Sequence, residues 1–72
     1  METSEQAKME RCLAILDHQL DQEITRGCKD TARYLYGQIV GALALARTLE
    51  IIDELEEDRQ FQAVQSKFYD AF

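Results

Sequence analysis

The chain has no proline, three glycines, two cysteines and one histidine among 72 residues. Each shortage excludes something. With glycine only at positions 27, 37 and 41 and no proline, few points force the backbone to turn. No alternating run of β-branched residues bounded by turn residues is present, so strands are not expected. Cys12 and Cys28 lie in and just beyond one helical pattern. A rise of ~1.5 Å per residue sets them roughly 20 Å apart, and a disulfide needs Cα atoms within about 7 Å. No intrachain bridge is expected. A structural zinc site also fails, because His18 is the only histidine and no close cysteine pair accompanies it.

Long apolar runs are missing as well. The longest uncharged stretch, Tyr34–Ala46, falls short of the about 20 residues that span a membrane. The opening residues Met1, Glu2, Thr3, Ser4 and Glu5 are acidic and polar, unlike a secretory signal. Two unbridged thiols suit a reducing compartment, so a cytoplasmic location is expected. A net charge of −6 argues against nonspecific binding along a nucleic-acid backbone, and neither helical pattern shows the basic stripe of a duplex-DNA reader.

What remains is helical periodicity. Met9, Leu13, Leu16, Leu20 and Ile24 recur at three- and four-residue spacing, with Cys12 and Ile15 widening the stripe. Glu10, Arg11, Asp17, Asp21 and Glu23 fall mostly off it. This pattern predicts a helix over about 5–26. Gly27 is placed to end it in a left-handed conformation, and residues 27–30 form the turn. Asp30 or Thr31 can cap a second helix over about 31–58. Leu35, Ile39, Ala42, Ala46, Leu49 and Ile52 form its main stripe, but Tyr36, Val40, Leu43, Ile51 and Leu55 fill adjacent faces. Gly37 and Gly41 share a face and suggest close backbone packing, against the first helix or a symmetry mate. The tail, 59–72, carries Phe61, Val64, Phe68 and Phe72. It continues the second helix or folds as a short third helix over a neighbouring subunit.

The expected fold is therefore all-α, a single domain over residues 1–72: a helical hairpin of two long helices, with or without a C-terminal helix. A chain this short buries only about 60% of its unfolded surface, and small scaffolds compensate with disulfides, a metal or oligomerisation. With the first two excluded, a homo-oligomeric bundle or ring is expected. Ile39, Val40, Gly41, Leu43, Leu45, Phe61 and Phe68 are its candidate interface residues, since one partner helix cannot cover so apolar a second helix.

Catalysis is not expected. Asp21 can orient His18, but no serine or cysteine stands at helical contact spacing to complete a relay. No phosphate-binding glycine loop or metalloprotease motif occurs. The acidic run Asp53–Asp58 has the character of a solvated face rather than a metal site, and no cofactor or metal is anticipated. Charge is unevenly spread, however. Residues 26–47 hold Arg26, Lys29, Arg33 and Arg47 against Asp30 alone, while both flanks are acidic. A helix N-terminus offers free amides to an anion, Arg33 can add a forked contact, and Tyr34 or Tyr36 can stack on a base. Arg26, Lys29, Thr31, Arg33, Tyr34 and Tyr36 thus form a candidate site for an anionic nucleotide. The plain alternative is an exposed turn with tyrosines at a core rim.

The stretch Tyr34–Ile52, with its glycine–apolar–glycine step, Leu–Ala run and acidic end, resembles small phage-encoded helical-hairpin proteins. In format the chain is similar to phage anti-CBASS sponges, helical oligomers that sequester cyclic-nucleotide immune signals. That resemblance implies a tyrosine and a lysine at the ligand, parts open to Tyr34 or Tyr36 and Lys29. Two functions follow as expectations. One is an oligomeric, non-catalytic counter-defence sponge. The other is a protein-interaction module, such as an acidic inhibitor of a host defence protein or an assembly adaptor, working through the acidic face and aromatic tail.

Overall fold

The computed structural model describes residues 4–72, and they form three helices: α1 (Ser4–Arg26), α2 (Lys29–Thr48) and α3 (Glu54–Ala71). No strand occurs among the described residues. α1 and α2 form the expected hairpin. α3 then folds back, so that α2 is the central helix with α1 and α3 both packed on it.

Two chain reversals make this topology, and both use the same hydrogen-bond pattern. At the end of α1, Gly27 N–H donates to the Ile24 carbonyl and Cys28 N–H to the Glu23 carbonyl, each at 3.0 Å. At the end of α2, Glu50 N–H donates to Arg47 and Ile51 N–H to Ala46, at 3.0 and 2.9 Å. Each pair satisfies last-turn carbonyls that have no partner within the helix. The motif needs one left-handed residue. Gly27 supplies it at φ 74° and Glu50 at φ 60°.

The second reversal corrects the expectation of one helix over about 31–58. α2 stops at Thr48, and α3 restarts at Glu54 under an Asp53 cap, whose carboxylate accepts from Glu56 N–H at 2.8 Å. α2 also begins earlier than expected. Cys28, not Asp30 or Thr31, occupies its N-cap, and makes no side-chain capping bond.

The core explains why α3 folds back. Leu20 of α1, Ala32, Leu35, Ile39 and Leu43 of α2, and Val64 and Phe68 of α3 form one buried cluster. Leu13, Leu16, Ile24, Tyr36, Ile52 and Phe61 pack around it. Two faces of α2 are apolar, and α1 covers one while α3 covers the other. Ile39, Leu43 and Phe68, expected to face other subunits, are therefore buried within the single chain. Val40 and Phe61 are half-buried, and only Gly41 and Leu45 of the expected interface set stay exposed. The tail lies on its own chain. Close packing of the first helix at Gly37 and Gly41 is not found: a methyl group added at either would meet nothing within 4 Å in the chain.

Candidate functional site

The turn between α1 and α2 keeps its cations at the surface but does not gather them. Arg26 bonds Glu23 at 3.1 Å, one turn back along α1. Lys29, Thr31 and Arg33 are exposed at the start of α2. The two tyrosines part company, because residues two apart on a helix point about 200° away from each other. Tyr34 is exposed, and its hydroxyl accepts from Gln38 Nε2 at 2.9 Å. Tyr36 turns inward, its ring centroid 5.2 Å from Phe68 and 6.4 Å from Tyr69. Such aromatic packing commits Tyr36 to the α2–α3 seam. The expected nucleotide-site residues thus do not converge: along α2, Lys29 and Arg33 share one side, Thr31 and Tyr34 another, and Tyr36 faces the core.

The most developed concavity lies elsewhere. Val40, Leu43 and Ala44 of α2 form one wall of an open groove, and Leu55 and Phe61 of α3 form the other. Its volume is about 640 Å³. Arg47, Glu54, Glu57 and Asp58 line its rim. Arg47 spans the end, with Nη1 at 3.3 Å from Glu57 Oε1 and Nη2 at 3.8 Å from Glu54 Oε2. Asp58 accepts from Gln62 Nε2 at 3.2 Å and meets no cation among the described residues. Leu55 is the outlier, 79% exposed and held out by the reversal before it.

The acidic start of α3 has further internal structure. Arg59 donates through Nε and Nη2 to both oxygens of Glu56, and Gln60 adds a third bond at 2.8 Å. These bonds from Arg59 and Gln60 hold the Glu56 carboxyl at about 2, well below the usual 4.5. Glu56 is thus occupied internally, while Glu54, Glu57 and Asp58 set the sign of the groove. No cluster of described histidine, cysteine or carboxylate side chains is arranged to hold a metal. His18, Cys12 and Cys28 are exposed, and both thiols are free. No helix among the described residues is long and apolar enough to cross a membrane.

The groove was not foreseen as a site, because Leu55 and Phe61 come near Val40 only after the chain reverses at Glu50. One signal was available: Leu55 is the lone apolar residue in the run Asp53–Asp58. Comparison with protein-family models, curated proteins and solved structures gives no match.

Proposed function

We propose that the chain is a non-catalytic protein-interaction module whose α2–α3 groove takes an amphipathic, basic helix of a partner protein. One observation carries this reading: Leu55 stands 79% exposed in an apolar groove whose rim bears Glu54, Glu57 and Asp58. A leucine held in water forfeits roughly 1.5–3 kcal/mol of burial. A partner helix would recover it by laying an apolar face between Val40 and Leu55, as helix-in-groove recognition does. The acidic rim selects lysine and arginine around that face and speeds encounter. Arg47, held by Glu54 and Glu57, closes one end of the groove.

The test uses a designed amphipathic peptide of leucine and lysine, labelled for fluorescence anisotropy, with a leucine–glutamate peptide as control. The lysine peptide is expected to bind, to weaken as salt rises, and to lose roughly tenfold or more in affinity on Leu55→Lys. Leu55 is so exposed that this change should alter folding stability by less than about 0.5 kcal/mol. Unchanged affinity in that variant, or equal binding of the acidic peptide, would overturn the reading.

A second reading, the cyclic-nucleotide sponge, keeps support from one feature. Lys29 and Arg33 have no carboxylate partner among the described residues, beside an α2 N-terminus without a side-chain cap. It expects calorimetric binding of a cyclic dinucleotide that Arg33→Ala abolishes; binding that survives both Arg33→Ala and Lys29→Ala would exclude it.

A further inference from the structure

One face of α1 is itself amphipathic and basic. Lys8, Arg11, Cys12 and Ile15 stand three and four residues apart, so they share one side of the helix, and all four are exposed. Ile15 is 56% exposed and is the one large apolar side chain that α1 leaves in water. The carboxylates of α1 lie on another side. Asp17 and Asp21 turn to Lys67 on α3, and Glu10 lines the same α1–α3 cleft. Lys8 and Arg11 form no ion pair among the described residues, Glu5 one turn back included.

The α2–α3 groove complements this face in charge and in length. Its rim sets Glu54, Glu57 and Asp58 against Arg47 alone, a net charge of −2. Arg47 holds the first two, and Asp58 meets no cation among the described residues. Lys8 and Arg11 together supply +2. The Lys8–Ile15 face and the Val40–Arg47 wall each rise about 10 Å along their helices.

We propose that the groove of one copy takes α1 of a second copy. This rests on the groove reading above and names an occupant for it. Ile15 seats beside Leu55, so that two side chains left in water cover each other, while Lys8 and Arg11 reach Glu57 and Asp58. The donor face belongs to α1 and the acceptor groove to α2 and α3. The contact is therefore heterologous, and copies add head to tail, each giving one face and taking another. A contact made by one turn or two of helix is small and weak. Assembly then belongs to high chain concentration, and a partner helix seated in the groove stops its growth.

The test is sedimentation up to about 1 mM chain, where the mean mass should climb past twice 8.3 kDa. Ile15→Glu spoils only the donor face and Leu55→Lys only the groove. Each should weaken association roughly tenfold or more, with the helicity of wild type, because both positions are exposed. Mixed in equal amounts, the two variants should form a dimer that grows no further, since one intact face remains for one intact groove. A monomer at every concentration, a mixture that does not dimerise, or assembly that survives Leu55→Lys would overturn the proposal. The leucine–lysine peptide separates the two claims. If it binds at Leu55 to a chain that stays monomeric, the groove reading stands and this occupant is wrong; if it does not bind either, both fall.

Discussion

The ammonium of Lys67 on α3 lies 2.6 Å from an Asp17 oxygen and 2.9 Å from an Asp21 oxygen on α1. One cation thus bridges two carboxylates a helical turn apart and ties together the two helices that flank α2. Burial pushes the Lys67 pKa down, but the bonds and charge of Asp17 and Asp21 push it up further, to a net value above 10.5. A folded pKa above the unfolded one gives stability that is complete below about 10.5. It is lost as pH rises through the folded value.

Lys67→Met should therefore lower stability near neutral pH by about 1 kcal/mol, a figure already reduced for the partial exposure of the pair. The deficit should shrink above pH 10.5, where wild type loses its bridge. Thermal melts of both proteins across that range check this; a constant difference would place the effect in packing rather than charge.

Glu50 and Gly27 occupy equivalent places in the two chain reversals, and both are left-handed. Opposite substitutions should have opposite signs. Gly27→Ala should destabilise by about 1 kcal/mol, and Glu50→Gly should stabilise by up to about 1 kcal/mol. Urea unfolding at high dilution measures both without a contribution from association.

Leu43 is 1% exposed, where α2 meets both neighbours. Leu43→Ala should cost about 2–5 kcal/mol, a large part of what holds a domain of this size. Loss of cooperative unfolding by circular dichroism is the expected result, against a near-native curve for Ala44→Ser on the exposed side.

Glu56 should titrate near 2 by carboxyl NMR, because Arg59 and Gln60 hold its charged form. Arg59→Ala should return it toward 4.5. The depressed value means that this contact supports the fold above the unfolded pKa, and that support fades as pH falls toward 2.

The helices and the first reversal were legible because apolar spacing and Gly27 are local signals. The second reversal was hidden by its left-handed residue, a glutamate where glycine usually stands. Asp53 followed three residues later by Glu56 was a readable helix start, but the apolar spacing through Ile51, Ile52 and Leu55 masked it. That one boundary decided much else. With α3 folded back, Ile39, Leu43 and Phe68 become intrachain core, Tyr36 is drawn into an aromatic seam, and the groove beside Leu55 comes into being. The cationic turn was legible as composition, yet the inward turn of Tyr36 depended on Phe68, more than thirty residues away.

The most direct test of the groove is a map of amide shifts in a ¹⁵N-labelled chain as the leucine–lysine peptide is added. The account predicts movement concentrated at Val40, Ala44, Leu55, Asp58 and Phe61, and absent in Leu55→Lys. Shifts centred on Lys29–Tyr34, or a spectrum that does not move, would contradict it.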